Sequence, residues 1–343
     1  MALLWYDGFN SASATEIALS YNASAFVGAT TSYPRTGAGY LRFTTSGGYV
    51  QKNVSPSGGF VIGVAIHKEL TNPSGESSFM SIREGATVHL YLTLSSDYKI
   101  RLYRGDATLL ATSTNAIPAY STSVSDYRHI ELKCTIHDTT GSFTLRIEGV
   151  VEASGSGVDT RNGGTGVIDN FRLESNSNTT YLGFDDLYAL DTSGATHNDF
   201  LGSSARVDTL SVDGAGDVTQ WTPSTGSNYQ NVDETGANNG DTDYNSAATT
   251  GLKDSFSCSN LPTSGVDVQA VRARVVARKD DSGTCQIKVG IRSSGVESTE
   301  SAQSLTTSYA AYFSSLHTVD PNTGVAWTEA GVNAIQAQYE RTT

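Results

Sequence analysis

Cysteine occurs three times in 343 residues, methionine twice, and the three cysteines lie far apart. An odd, dispersed set builds neither a disulfide framework nor a structural metal site. Charged residues are also scarce, at 17% of the chain, against roughly 25% in an ordinary globular protein. Runs of basic residues are missing, and the net charge is −13. Such a chain repels nucleic acid and anionic membranes, which argues against both as partners. Long apolar runs are missing as well. None approaches the ~20 residues of a membrane-spanning helix. The opening "MALLWYDGFNSAS" has an apolar stretch only from Ala2 to Tyr6, cut off by Asp7, with no basic lead, unlike a signal peptide.

Catalytic patterns are absent too. A retaining glycosidase needs two carboxylates ~5–5.5 Å apart. On a strand this calls for acids at i and i+2 or i+4, and no Glu-x-Asp-x-Glu string occurs. Glu131, Glu148, Glu152 and Glu174 are scattered, and the adjacent Asp185 and Asp186 are expected on opposite faces of a strand. There is no Gly-x-Ser-x-Gly. His129 and His137 are expected outward on one strand, about 26 Å apart, too far to share a metal. No catalytic, cofactor or metal residue is therefore assigned, and no enzyme activity is expected.

What the chain has is Ser, Thr, Gly and Asn, residues of turns and strand edges, with 17 tyrosines that favour strands. Strand patterns recur roughly every 8–15 residues, as in an antiparallel sandwich. "YLRFTTSGGYVQKNV" reads as a hairpin around Ser46-Gly47-Gly48. "GGFVIGVAIHKEL" carries Phe60–Ile66, an apolar run suited to a buried central strand. "SSFMSIRE", "TVHLYLTLSS" and "YKIRLYRGDATLLATS" follow. "YRHIELKCTIHD" and "SFTLRIEGVVEASG" form a hairpin through Asp138-Thr139-Thr140 and Gly141. Cys134 shares its parity with Ile130, Leu132 and Ile136, and Cys285 with Ile287, Val289 and Ile291, so both act as small core hydrophobes. After "TTYLGFDDLYALD" the chain turns loop-rich, with a strand piece at Ala205–Leu210. These observations predict an all-β chain of two β-sandwich domains, residues 1–192 and 193–343, the second smaller with a short helical turn near its end.

The first ~190 residues resemble a concanavalin A-like (laminin-G-like) jelly roll, with "LLWYDGFN" and "YLGFDDLYALD" as paired first and last strands. From Phe184 onward the ordered pieces "FDDLYALD", "NDFLGSSARVDTL", "GDTDYN", "VQAVRARVVARKDDSG" and "DPNTGVAWTEAGVNAIQ" resemble a recurrent module of tailed-phage virion proteins. The resemblance implies a structural component of a tail, fibre or spike. Its implied partners are other virion proteins and copies of itself, a trimer being favoured, with no nucleic acid and no membrane span. Its implied place is the virion, after folding in a host cytoplasm and release by lysis. Free core cysteines beside a polar, lysine-poor surface fit that history. The alternatives are a lectin-like receptor-binding module and a capsid decoration protein.

Several local features remain open between a packing role and a binding role. The loop with Asp233, Glu234, Asn238, Asn239, Asp241, Asp243 and Asn245 is a solvated turn or a calcium loop. Against the calcium reading, Ser246 and Leu252 stand where an EF-hand loop needs Gly and Glu. Tyr33, Trp221 and Tyr229 are core or sugar-stacking residues. Trp5 and Trp327 are expected in cores. Arg272, Arg274 and Arg278, with Lys288 and Arg292 on a neighbouring strand, form a solvated basic face or an inter-subunit contact.

Overall fold

The computed structural model describes residues 3–11, 13–68, 75–118, 126–176 and 182–343. Ala2, Glu69–Leu70 and Thr179–Tyr181, which end three of the stretches quoted above, lie outside the described residues. The chain folds as two units, Met1–Val207 and Asp208–Thr343.

In the first unit the elements run β1 (Leu3–Asp7), α1 (Ala14–Leu19), β2 (Ala23–Ala25), β3 (Val27–Thr30), β4 (Tyr40–Phe43) and β5 (Gly48–Asn53). Then come β6 (Phe60–Lys68), β7 (Ser77–Glu84), β8 (Thr87–Leu94), β9 (Lys99–Arg104) and β10 (Leu109–Ala116). β11 (Arg128–Thr135), β12 (Gly141–Ile147), β13 (Val150–Val158), β14 (Asn170–Ser175) and β15 (Leu182–Asp191) complete it. They form two antiparallel sheets, ordered β13-β12-β11-β6-β15-β4-β3 and β10-β9-β8-β7-β14-β5-β2, with β1 added on β15. First and last strands therefore pair, as the jelly-roll resemblance implies.

The core lies between the sheets. Phe60 of β6 meets Phe171 of β14 with ring centroids 6.1 Å apart, and Phe43 meets Phe184 at 5.7 Å. β6 is buried along its whole length, as its apolar run predicts, between β11 and β15. The β11–β12 hairpin also forms as expected. The Ser46-Gly47-Gly48 turn is different. It carries the chain from β4 in one sheet to β5 in the other, so it is no hairpin. Gly47 has φ 82°, and a Cβ on Gly48 would lie 2.6 Å from that of Phe43. The turn is tight because it wraps the sandwich edge rather than a ladder. α1 is not among the elements that the sequence patterns predict. Its signal is Ser13 three residues before Glu16, and the Ser13 hydroxyl accepts the Glu16 N–H at 3.4 Å.

The second unit has β16 (Val212–Thr219), β17 (Thr222–Pro223), β18 (Asn245–Ser246), β19 (Lys253–Cys258), β20 (Arg274–Ala277) and β21 (Gln286–Ser293). β22 (Val296–Glu297), β23 (Gln303–Ser304), β24 (Ala310–Phe313), α2 (Glu329–Val332) and β25 (Ile335–Arg341) follow. A main sheet, β16-β19-β25-β21-β22 with β23 on β21, is packed against the β20–β24 ribbon. Phe256, Ile287, Val289 and Tyr339 from the sheet, with Tyr312 from the ribbon, fill the space between. The last strand thus sits centrally in its sheet. It is reached through the turn at Pro321–Gly324, where Gly324 has φ 71°. Trp327 is buried against Ile291, Val332 and Ile335, and its indole N–H donates to the His317 carbonyl at 2.7 Å. Thr328 caps α2 by accepting the Gly331 N–H at 3.0 Å. Ala205–Leu210, expected as a strand piece, pairs with no strand.

Candidate functional site

The first sandwich has two outward faces. On the first sheet, register aligns Gly63, Glu131 and Tyr188 in one row. The Tyr188 ring lies so close over Gly63 that a Cβ there would stand 2.3 Å from it. Its hydroxyl donates to Glu131 Oε1. Residues 194–207 then cross this face as a strap, and the sequence-based boundary at 192/193 falls ahead of it. Gly202 N donates to Glu131 Oε1 at 2.9 Å and Leu201 N to Tyr188 Oη at 3.1 Å. Lys133 pairs with Asp199 at 3.2 Å, and Arg146 stacks on Phe200 at 3.9 Å.

Asp185 and Asp186 do not diverge as adjacent strand residues should. Asp186 has φ 48° at a bulge between Asp185 and Tyr188. That brings both carboxylates onto the loop at Arg35 and Thr36. Asp185 accepts the Arg35 N–H at 2.8 Å and the Asp186 N–H at 2.8 Å. Asp186 accepts from the Arg35 guanidinium at 2.5 Å, the Thr36 hydroxyl at 2.7 Å and Val207 N at 2.7 Å. The same guanidinium donates to the Ser203 and Ala205 carbonyls at 2.6 and 2.8 Å. Burial, and for Asp185 the neighbouring Asp186, pushes both carboxyl groups above the usual range. His129 points outward from the sandwich yet is buried, stacked on Tyr188 at 5.7 Å, with its pKa lowered to about 3 by burial and Arg35. Its outward direction is as expected, and it is buried because this face is roofed. The arrangement is a latch: every Asp185 and Asp186 oxygen is engaged by a protein donor.

The second sheet presents the opposite case. Its registers align Tyr103, Tyr91, Ser81, Arg172 and Gln51 across β9, β8, β7, β14 and β5. Inward neighbours such as Leu90, Leu102, Ile82 and Phe171 are in the core, so the row faces out. Tyr91 and Tyr103 are half-exposed and stack with centroids 5.2 Å apart and planes 12° apart. Ser81 is the floor, buried beneath its neighbours, with Arg83 Nη1 3.4 Å from its hydroxyl. Arg172 lies flat on Tyr49, 4.0 Å from the ring centre, with Nε donating to Gln51 Oε1 at 2.9 Å. Glu174 accepts from Ser78 at 3.2 Å and lies 4.0 Å from Arg83. Burial raises the Glu174 pKa, and burial followed by the Arg172 charge lowers that of Arg83. At the rim Glu76 binds Arg101, and accepts from the Tyr103 hydroxyl at 3.0 Å. A cavity of about 610 Å³ lies toward the end of β5 and the start of β14, lined by Gln51, Asn53, Ser55, Asp169 and Asn170 among others. The buried Asn170 Oδ1 has no hydrogen-bond partner among the described residues.

The four glutamates thus part company. Glu131 lies under the strap and Glu174 on the open face. Glu148 accepts the His129 N–H at 2.5 Å, and Glu152 ties Asn115 of β10 to β13 at 2.7 and 2.9 Å. His137 sits in the hairpin turn, its Nδ1 accepting the Thr139 and Thr140 N–H groups. In the second unit Trp221 packs edge-on against Tyr339 at 4.6 Å and Tyr229 joins the same cluster, while Tyr33 of the first unit is exposed. Of the acidic loop, Asp241 binds Arg278 at 2.8 Å and Tyr309 at 2.8 Å, and Asn245 binds Tyr339 at 2.9 Å. Among the described residues no group of three or more His, Cys, Asp or Glu is placed to hold a metal ion. The basic stripe is divided: Arg274 lies on the β20–β24 ribbon, and Lys288 and Arg292 on the main sheet. Arg292 is paired with Asp217 at 3.0 Å and Glu297 at 3.2 Å, and Arg272 stacks on Phe313 at 4.4 Å. Among the described residues no helix is long and apolar enough to cross a membrane.

No protein-family model matches this chain, and no curated protein matches it. Among solved structures it is similar to alginate lyase Aly36B, at 14% identity over 54% of this chain and 96% of that one, TM-score 0.40. It is similar to the endo-β-1,4-glucuronan lyase of the fungus Trichoderma reesei, at 11% identity over 55% and 94%, TM-score 0.39. It is similar also to carbohydrate-binding module CBM66 from Bacillus subtilis, at 10% identity over 55% and 97%, TM-score 0.33. These likenesses are distant, and the fold assignment rests on the strand order itself: an all-β chain whose first unit is a jelly-roll sandwich.

Proposed function

We propose that this chain is a non-catalytic glycan-binding component of a tailed-phage virion, present in copies and contributing to attachment at a host surface. The observation that carries the glycan reading is the trough on the second sheet. Tyr91 and Arg172 stand on strands either side of Ser81, so the two strands that carry them are about 9.5 Å apart, twice the strand spacing. A sugar ring offers apolar faces to an aromatic wall and a polar rim to charged donors. The binding-only reading is supported by the carboxylates at this face. Glu174 is hydrogen-bonded to Ser78, and Glu76 is held by Arg101 and Tyr103. The virion reading rests on the ordered pieces from Phe184 to the end.

The test is the whole chain on an array of bacterial capsule and lipopolysaccharide glycans, beside its Tyr91→Ala variant. Binding to at least one glycan, lost in the variant at an unchanged melting temperature, supports the reading. No binding to any glycan refutes it. Release of sugar from a bound glycan refutes the non-catalytic part.

A further inference from the structure

We infer that the glycan bound on the second sheet carries a carboxylate, received by the guanidinium of Arg172. This rests on reading that face as a glycan site. Its grounds are the ion pairing of the face and the geometry of one side chain.

Three arginines lie on this face. Arg101 is answered by Glu76 and by Asp97 at 3.2 Å, and Arg83 by Glu174 at 4.0 Å. Arg172 has no carboxylate within ion-pair distance among the described residues, and its Nε–H is the only donor used, on Gln51. Its two terminal nitrogens have no hydrogen-bond partner among the described residues. In a chain of net charge −13, Arg172 is the arginine of this face whose nearby acid, Glu174, acts on it only from beyond ion-pair distance.

The guanidinium is also fixed in orientation. Tyr49 supports one face at 4.0 Å and Gln51 anchors Nε. A planar cation held this way presents its terminal N–H pair as a fork, the geometry that matches both oxygens of a carboxylate. Much of the ordering that such a bond requires is therefore present before the ligand arrives. Arg83, whose charge burial and then Arg172 already disfavour, adds a second positive group beside it. Across the floor, the Tyr91 hydroxyl has no hydrogen-bond partner among the described residues, so it can meet the rim of the same sugar. A uronic acid fits this trough: its ring stacks at Tyr91 and its carboxylate reaches Arg172.

The experiment uses the whole chain and pairs of polysaccharides: polyglucuronate, polymannuronate and polygalacturonate, each beside its carboxyl-reduced neutral form. Titration calorimetry should show at least one acid bound tenfold or more tightly than its reduced partner. Arg172→Ala should remove that preference at an unchanged melting temperature, with a larger loss of affinity for the acid than for the reduced form. Arg172→Lys, which keeps the charge but loses the fork and the stacking, should recover only part of it. Equal binding of acid and reduced forms overturns the inference and leaves the glycan reading standing. An equal loss for both forms in Arg172→Ala overturns it too. Absence of binding to every acidic and neutral form, together with a blank glycan array, removes the underlying reading as well.

Discussion

The two outward faces of the first sandwich are written in the same alternating code, and they end in opposite states. On the first sheet Glu131, Asp185, Asp186 and His129 are buried beneath the strap and the Arg35 loop. On the second, Tyr91 and Arg172 stay half-exposed, while Arg83 and Glu174 keep only a small part of their side chains in solvent. Burial explains how each face is wired. A charge taken out of water is costly unless protein donors meet it, and the backbone of the strap supplies Gly202 N to Glu131 Oε1 and Val207 N to Asp186, while Glu131 Oε2 is buried without a hydrogen-bond partner among the described residues. The open face has water as its default partner, so it can leave the Arg172 terminal nitrogens without a close ion pair. The stretches "FDDLYALD" and "NDFLGSSARVDTL" are the two halves of one device, acid pair and strap.

The comparison breaks if matching substitutions on the two faces behave alike. Arg35→Ala should be the most damaging, since it strands Asp186 in the latch. The expected loss is about 3–5 kcal/mol, or roughly 6–20 °C in the melting of the first unit. Arg172→Ala should change stability by less than about 1 kcal/mol, as surface substitutions do. Thermal melts of the full-length variants decide it, and equal losses would mean that the open face is structural. Trp327→Ala calibrates the scale in the second unit. Deleting this buried indole should also cost about 3–5 kcal/mol and lower only the second unit's transition. An unchanged transition would remove Trp327 from the core role assigned to it.

Acid should separate carboxylates that the protein has claimed from those it has not. Glu84 accepts the Thr165 hydroxyl at 2.7 Å and the Thr165 and Gly166 N–H groups at 2.8 and 3.0 Å. These bonds hold its pKa down to about 2, against an ordinary 4.5. A depressed carboxylate stabilises the fold above its unfolded pKa, and that contribution is lost as pH falls. Melting curves from pH 6 to pH 2 should therefore decline below about pH 4.5. Glu84→Gln should flatten part of that decline. An identical slope in both proteins would show that the Thr165 loop does not depend on the charge.

The fold was readable where one physical signal dominates. The apolar run of β6, the alternation of β11 and β12, and the short helical turn near the end all lie where their patterns predict. The Gly47 turn misled because glycine marks a sharp reversal without saying whether the chain returns to the same sheet. Asp185 and Asp186 misled because a bulge at one residue cancels strict alternation. Parity put His129 on the outward face and was silent on its burial, because strand parity names a face but not what covers it. The open site was nearly silent. "TVHLYLTLSS" and "YKIRLY" do place Tyr91 and Tyr103 opposite the core, but nothing local reveals that "NFRLES" runs two strands away. That proximity comes from β7 pairing with β14, a contact across some ninety residues.

The smallest expected effect concerns Glu174, the counterpart of Glu84. Burial raises its pKa, with Arg83 acting in the opposite direction. A raised carboxylate takes up its proton more readily when folded, so its contribution to stability falls as pH rises through that window, the reverse of Glu84. The same proton matters for an acidic ligand. Ionised Glu174 repels a carboxylate seated at Arg172 and competes for the arginine charges. Bound ligand raises the Glu174 pKa further, so binding takes up a proton and tightens as pH falls toward that value. Glu174→Gln should imitate the protonated form. Two unit charges about 4 Å apart in water interact by ~1 kcal/mol, so the variant should bind a uronate about fivefold more tightly at pH 7. It should also lose the tightening with acid, while the carboxyl-reduced glycan binds both proteins equally. Calorimetric titrations at pH 5 and pH 7 measure all three quantities. Weaker uronate binding in Glu174→Gln would show that this carboxyl group contacts the sugar directly, as a hydrogen-bond acceptor rather than a repelling neighbour.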